Sequence, residues 1–260
     1  MRKNAAVIFA GAIVAATFSG CVSTTAVESK VPDNVTKSDP AQRAQIHTER
    51  AAEYFRIGNI AVALDVVKQA LSADGSYAPA HNMHGLIQMH LGNDELAAKA
   101  FQQALKLLPD DSLALNNYGW FLCQRKNAAD ALPYFDAALK DPLYATPESA
   151  MYNAGLCKKK LNDRLGAEVQ FRAVVKRQPQ FAPVLYELAE IEFSKGRPRE
   201  AEALLVRYDK LTQMPTADAL LLGAKIARSL GDKSSELSYV QQLRRRFPDS
   251  PQLRAAAQAS

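Results

Sequence analysis

From about residue 44 onward, the chain repeats one arrangement of small and bulky apolar positions. Small residues recur at intervals of 34, 34, 36, 34 and 34, at Ala51, Gly85, Gly119, Gly155, Ala189 and Gly223. Alanines follow the first five of these by 12 residues, at Ala63, Ala97, Ala131, Ala167 and Ala201. Bulky residues follow by 16, at Val67, Phe101, Phe135, Phe171 and Leu205. Three rows in one register indicate a repeated structural unit of about 34 residues.

The period and the order of residues resemble the tetratricopeptide repeat, a helical hairpin in which small residues let two helices approach and an aromatic ring fills the gap. Pro109, Pro179 and Pro248 lie where repeats are expected to end, because proline cannot continue a helix. The resemblance implies an all-α fold, a right-handed superhelical solenoid of six hairpins. The predicted repeats are 44–77, 78–111, 112–145, 148–181, 182–215 and 216–250, with Thr146 and Pro147 inserted and a short tail at 251–260.

The N-terminus has the three-part plan of a secretory signal: Arg2 and Lys3, an uncharged run from residue 5 to 18, and a stretch of small residues. The run is too short for a transmembrane helix, which needs about 20 residues. Ser19 and Gly20 before Cys21 resemble a bacterial lipobox, in which Cys21 is lipidated and residues 1–20 are removed; the alternative is an ordinary signal peptide. Residues 21–43 are predicted to be a flexible tether. Position 22 is Val, and it is not the Asp that often retains lipoproteins at the inner membrane. This implies a location at the outer membrane, facing the periplasm.

Composition excludes several classes of protein. The chain has 260 residues, 48% hydrophobic and 23% charged, enough for a sizeable core. The net charge of +5 falls to +3 once Arg2 and Lys3 are removed with the signal. Such a mild, scattered excess does not favour nucleic-acid binding. The runs Lys158–Lys160 and Arg244–Arg246 are interpreted as solvated helix surface.

The sequence shows few signs of catalytic chemistry. His81, His84 and His90 lie close together, but neither an HExxH motif nor a carboxylate-rich set accompanies them, so we interpret them as packing residues. No glycine-rich phosphate loop is present. We therefore expect no enzyme activity, no metal, no cofactor and no small-molecule substrate.

The first helix of each hairpin offers a wall for protein binding. Repeat positions 5, 9 and 12 share one helix face, because steps of four and three residues nearly complete a turn. Aromatic residues, methionine and asparagine at these positions form the predicted protein-binding groove: Phe55, Asn82, Met89, Asn116, Trp120, Tyr152, Tyr186 and Phe193. Aromatics supply contact area, and Asn amides can hold an extended backbone. The alternative is that neighbouring repeats cover these side chains.

Two stretches carry a more specific resemblance. LNNYGWFLCQRKNAADALPYFDAALKDPLY, followed by NAGLC, and ALLLGAKIARSLGDKSSELSYVQQLRRRFPDS are similar to the type IV pilus lipoproteins called PilF or PilW. The resemblance implies a pilotin, an outer-membrane lipoprotein that binds subunits of the pilus secretin and promotes their localisation and multimerisation, hence pilus formation and twitching motility. The competing hypotheses are an adaptor for outer-membrane protein assembly or peptidoglycan synthesis, and an enzyme that uses Cys123.

Cys123 and Cys157 fall at positions 12 and 10 of consecutive repeats. A difference of two residues rotates a side chain by about 200°, so the thiols point from opposite sides of equivalent helices and can face each other. An oxidising periplasm would favour a disulfide, and the alternative is two separate buried thiols. The family resemblance implies that the two cysteines pair.

Overall fold

The computed structural model describes residues 39–258, in which the chain forms thirteen helices and no strand. In chain order the helices are α1 (Pro40–Arg56), α2 (Ile60–Ala73), α3 (Ala78–His90), α4 (Asp94–Leu107), α5 (Ser112–Arg125), α6 (Ala128–Ala138), α7 (Pro147–Lys160), α8 (Arg164–Arg177), α9 (Ala182–Ser194), α10 (Pro198–Leu211), α11 (Ala217–Ser229), α12 (Lys233–Arg246) and α13 (Pro251–Gln258). The all-α fold of repeated helical hairpins predicted from the sequence is confirmed.

Consecutive helices pair as six hairpins, from α1–α2 to α11–α12, and the second helix of each hairpin packs against the first helix of the next. This is the stacking expected of a solenoid, in which each unit contacts its neighbours. The helix α13 packs against α11 and α12, so most of the predicted tail covers the last hairpin. The first helix begins at Pro40, so residues 40–43, predicted from the sequence to belong to the tether, are helical. Proline at the first helical position suits a helix start, because its missing amide would have no partner there.

The turn inside most hairpins depends on a left-handed residue. Gly58, Gly92, Gly196 and Gly231 have φ values of 79°, 77°, 73° and 75°, a conformation that glycine adopts without steric cost. In the fourth hairpin this place is taken by Asn162, with φ of 62°. Asparagine tolerates this conformation better than most residues with a side chain.

The two helices of a hairpin are held at close range by pairs of complementary size, 16 residues apart. A Cβ placed on Gly85 would lie 2.7 Å from ring carbons of Phe101, and one on Gly119 would lie 2.9 Å from the Phe135 ring. Where the small residue is Ala, its counterpart is smaller: Ala189 shares a buried cluster with Leu205. The helix glycines are therefore required by packing, since the ring occupies the space that a methyl group would need.

The buried core continues from one hairpin into the next. One cluster joins side chains of four successive helices, α4 to α7: Ala97, Phe101, Tyr118, Phe121, Leu122, Cys123, Ala128, Ala131, Phe135, Ala154 and Cys157. No helix in residues 39–258 is both long and apolar enough to cross a membrane. The predicted signal peptide, the lipidation site Cys21 and most of the tether lie outside the described residues.

The size pairing can be tested in a double-mutant cycle. Gly85→Ala should destabilise the fold by about 1–3 kcal/mol, because the new methyl group overlaps the fully buried Phe101 ring. Combining it with Phe101→Leu recreates the Ala–Leu pair of the fifth hairpin. The double variant should therefore lose about 1 kcal/mol less than the sum of the two single losses, measured by urea unfolding.

Gly75→Ala is the matched control for that cycle. Gly75 is exposed, and the nearest atom to a methyl group added there would be the Leu71 carbonyl oxygen at 3.6 Å. Its stability should change by less than about 0.5 kcal/mol. Strict additivity of Gly85→Ala and Phe101→Leu would contradict the pairing.

Candidate protein-binding groove

The apolar members of the predicted groove lie on the first helices of five hairpins. We call this set the aromatic row: Phe55, Met89, Trp120, Tyr152, Tyr186 and Phe193. All six side chains are partly buried, and none is fully covered. The Phe55 ring meets the His90 ring edge to face, with centroids 5.5 Å apart, while Trp120 and Met89 pack against the cluster that spans α4 to α7. Neighbouring repeats thus cover part of each side chain and leave the rest accessible.

The two predicted asparagines have a different role from the one expected. Asn82 and Asn116 are only 4% and 5% exposed. The Asn117 side-chain amide donates to Asn82 Oδ1 at 3.1 Å, and the Asn153 amide donates to Asn116 Oδ1 at 3.0 Å. These bonds connect α3 to α5 and α5 to α7. The two asparagines therefore join successive hairpins, and their burial leaves little of either side chain accessible to a bound peptide.

A cavity of about 400 Å³ opens beside the C-terminal members of the aromatic row. We call it the tyrosine pocket, which is lined by Tyr152, Ala182, Pro183, Tyr186, Tyr208, Thr212, Met214, Thr216 and Asp218. It brings together Tyr152 and Tyr186, two members of the predicted groove. Tyr208, Met214 and Asp218 were not predicted, and they lie on a second helix, in a connection and in the first turn of α11. Met214 is 76% exposed, and it lies between α10 and α11, where the period gives no signal for a binding residue.

The Tyr152 and Tyr186 hydroxyls in this pocket can donate hydrogen bonds. Burial, followed by the Glu187 carboxylate and Tyr208, raises the pKa of Tyr152 to about 12. Burial, followed by the Glu190 and Asp218 carboxylates, also raises the pKa of Tyr186. Both hydroxyls therefore stay protonated at physiological pH, and neither bonds to another group within residues 39–258. They are free to donate to acceptors of a bound chain.

A charged cluster links the fourth and fifth hairpins beside the pocket. The Lys159 ammonium donates to Glu187 Oε2 at 2.7 Å and also to Glu190. Glu187 is only 7% exposed, and burial raises the pKa of its carboxyl group while Lys159 opposes the rise. A buried carboxylate of this kind needs its cation, since an unpaired charge in the interior is costly. Lys159 thus serves packing between hairpins as well as lying at a groove position.

The structure places Cys123 and Cys157 in contact between α5 and α7. Both are fully buried, their Cα atoms are 5.8 Å apart, and their sulfur atoms are joined. A Cα separation of this size is typical of disulfides. The Lys160 ammonium donates to the Cys123 carbonyl oxygen at 2.7 Å, which adds a second link between the same helices.

The histidines serve local packing in the described part of the chain. His81 Nε2 lies 2.9 Å from the Gly75 carbonyl oxygen, and His84 Nε2 lies 2.9 Å from the Gln88 side-chain amide. Among residues 39–258, no group of three or more His, Cys, Asp or Glu side chains is arranged to hold a metal ion.

Comparison with known proteins identifies the repeat and its relatives. Residues 48–112, 82–150 and 152–215 match the family model described as tetratricopeptide repeat. The type IV pilus assembly protein PilF of Pseudomonas aeruginosa is 26% identical over 254 residues, which cover 96% of each chain. The crystal structure of PilW, described as a widely conserved type IV pilus biogenesis factor, is 36% identical, with a TM-score of 0.74, and the match covers 83% of this chain and 99% of PilW. A structure of P. aeruginosa PilF, 23% identical, shares the fold with a TM-score of 0.80 over 86% of this chain and all of that one.

Replacing Lys159 should lower the free energy of unfolding, because the buried Glu187 carboxylate would lose its cation. Lys159→Met should destabilise the fold by about 1–3 kcal/mol at neutral pH, because a buried acceptor loses its cation. The pKa of Glu187 should rise further. A carboxyl group whose folded-state pKa lies above its unfolded value lowers stability as pH rises between those values. As the pH rises above about 4.5, the ordinary pKa of a glutamate side chain, urea unfolding should therefore show a steeper loss of stability than in the unmodified protein.

Lys158→Met is the matched control, since it removes the same charge one residue away. Lys158 pairs at 3.4 Å with the exposed Asp163, so its loss should cost less than about 1 kcal/mol. Equal losses and equal pH slopes in the two variants would show that Glu187 does not depend on Lys159.

The cysteine pair remains a prediction for the protein in its native compartment. Peptide mapping without reducing agent should recover Cys123 and Cys157 in one crosslinked species. Reduction should lower the free energy of unfolding by about 3–4 kcal/mol, because the bridge closes a sequence separation of 34 residues. Recovery of both cysteines as free thiols from freshly prepared envelopes would contradict the pairing.

Proposed function

Because the chain belongs to the tetratricopeptide-repeat family and is homologous to the PilF and PilW pilus biogenesis proteins, we propose that it is a pilotin of the type IV pilus. It binds subunits of the pilus secretin and promotes their outer-membrane localisation and multimerisation. Pilus formation and twitching motility depend on that step. The protein acts by binding and catalyses no reaction.

One observation carries the proposal: the relationship extends over whole chains. The match to PilF covers 96% of both proteins, and the match to PilW covers 99% of that structure. A generic solenoid adaptor would share the repeats with many proteins, but it would have no reason to match pilus biogenesis factors over nearly their whole length. Homology of this extent supports a role in type IV pilus biogenesis.

The anchoring part of the proposal rests on the N-terminal sequence, which lies outside the described residues. Cleavage before Cys21 and acylation of its thiol and amino groups would attach the protein to the outer membrane on its periplasmic face. More than one acyl chain is needed for a stable anchor, and lipoprotein processing supplies several. A tether of about 18 residues would then give the hairpins a root-mean-square reach of roughly 25 Å from the bilayer.

Membrane attachment and partner binding together are sufficient for such a protein to promote secretin assembly without catalysing a reaction. A secretin subunit held by the hairpins is kept near the membrane at a raised local concentration, which favours assembly with other subunits. The tyrosine pocket is the proposed contact. Its volume of about 400 Å³ admits an apolar side chain of the partner, while the Tyr152 and Tyr186 hydroxyls donate to backbone carbonyls beside it.

Deleting the gene and blotting the secretin tests the proposed function directly. Envelope fractions resolved with and without heat denaturation should show secretin monomer in place of the heat-resistant multimer, and less secretin in the outer membrane. Expression of the unmodified protein should restore the multimer, whereas Cys21→Ala, which removes the acylated thiol, should restore it only in part. Normal multimers in the deletion strain would instead favour an adaptor for another envelope machine.

Variants of the tyrosine pocket test where the partner binds. Tyr152→Phe combined with Tyr186→Phe keeps both rings and removes both donors, so secretin capture should weaken about three- to tenfold. Met214→Ala should weaken it by a similar factor through lost apolar contact. Trp120→Ala should have a larger effect if the whole aromatic row is covered by the partner.

Leu165→Ala is the control for these variants, since Leu165 is 75% exposed on α8, outside the pocket. It should leave capture unchanged. If circular dichroism shows intact folds and every pocket variant captures secretin like the unmodified protein, the partner binds elsewhere on the hairpins.

A further inference from the structure

The connection between the third and fourth hairpins forms a second cavity, away from the tyrosine pocket. The period lengthens here from 34 to 36 residues, and α7 begins at Pro147. We call the cavity the junction pocket. It has a volume of about 460 Å³ and is lined by Leu108, Asp110, Asp111, Ser112, Leu113, Asp141, Leu143, Tyr144, Ala145 and Thr146.

Three leucines make the rim of the junction pocket unusually apolar. Leu143 is 88% exposed, the largest value among the exposed apolar side chains, and Leu113 and Leu108 are about half exposed. Leu108 and Leu143 lie in two different connections, and Leu113 lies in the first turn of α5. All three line the same cavity. Single exposed apolar residues are common on protein surfaces, but several around one concavity indicate a binding site.

The same rim carries three carboxylates that have no cation. Asp110, Asp111 and Asp141 make no ion pair within residues 39–258. Asp111 accepts from the backbone amides of Leu113 and Ala114, and Asp141 accepts from the Ser112 hydroxyl and the Leu143 amide. These hydrogen bonds fix the positions of two carboxylates without neutralising their charge. The rim therefore presents a fixed negative field around an apolar centre.

Tyr144 forms the inner wall of the junction pocket. Its hydroxyl oxygen is buried and makes no hydrogen bond of good geometry in the described part of the chain. Burial raises the pKa of this phenol, the Asp111 and Glu148 carboxylates add to the rise, and the nearby Thr146 side chain opposes it. The hydroxyl therefore keeps its proton. Glu148 itself is paired with Arg177 at 2.8 Å, whereas the three aspartates make no ion pair within residues 39–258.

We propose that the junction pocket is a second contact for the protein partner and binds a segment in which Lys or Arg flanks a large apolar side chain. The apolar side chain fills the space between Leu113 and Leu143, and the cations meet the three aspartates. This inference rests on the proposed function, which names secretin as the partner. An anionic bilayer surface does not fit, because the aspartates would be repelled by it.

Two substitutions on the rim test the inference with little risk to the fold. Leu143→Ser removes the most exposed apolar side chain, and Asp110→Lys reverses the one rim carboxylate that accepts no hydrogen bond in the described residues. Binding of the full-length lipoprotein, in detergent micelles, to the purified periplasmic region of the secretin should weaken at least about fivefold in each variant. Asp110→Asn should give an intermediate loss, and raising the salt concentration should weaken the unmodified protein more than Asp110→Lys.

Matched controls separate the local effect from general changes of surface. Leu165→Ser removes a similarly exposed leucine from α8. Asp130→Lys reverses the charge of an exposed carboxylate in the first turn of α6, whereas the junction pocket lies beyond the last turn of that helix. Both should bind secretin within about twofold of the unmodified protein, because the sites are distant and independent.

Each outcome decides a different question. If the unmodified protein and both rim variants bind equally, the junction pocket is not a contact and the proposed function stands. If the unmodified protein does not bind secretin, both the proposed function and this inference fall. If the rim variants instead change the sedimentation of the purified lipoprotein alone, the surface is a contact between copies of this chain, which also overturns the inference.

Discussion

The structure depends on one repeated contact, in which a small residue on the first helix of a hairpin lies against a larger side chain 16 residues later. The partners are matched in size, with Gly against Phe at Gly85–Phe101 and Ala against Leu at Ala189–Leu205. Because the ring fills the space left by the missing Cβ, the pair fixes how closely the helices approach. Helix periodicity then sets which side chains face away from this contact. The aromatic row is therefore positioned by a packing rule that has no functional content of its own.

Stacking of one hairpin on the next uses polar contacts as well as the apolar core. Asn82 and Asn116 accept hydrogen bonds from asparagines of the following hairpin, and Lys159 reaches two carboxylates of the fifth. Such bonds are directional, whereas apolar contact tolerates sliding, so they favour one register between hairpins. The joined sulfur atoms of Cys123 and Cys157 lie at the junction where the period is interrupted by two residues. A disulfide between them would place a covalent link where the regular period gives the least information about how the hairpins stack.

The fold could be predicted from the sequence because the contact that defines it has a fixed spacing. A 34-residue period, with small and bulky rows in register, was sufficient to predict the all-α hairpins. The groove was predicted only in part. Spacing shows that Asn116 and Trp120 share one face of α5, but it cannot show that the amide turns toward the next hairpin while the indole stays accessible. Met214 lies in an irregular connection, and the period assigns no direction to such residues.

Both cavities lie where the period gives least information. Regular stacking buries equivalent side chains in equivalent places, and a uniformly packed stack leaves little empty volume. The tyrosine pocket includes the connection at 212–216, and the junction pocket includes the lengthened connection at 141–146. Loops carry binding residues more often than the helices they join. Their conformation does not have to satisfy the size pairing that holds two helices together. In a repeat protein, the regular positions specify a scaffold that many unrelated proteins share. Recognition of one particular partner can therefore be encoded where the sequence departs from the period.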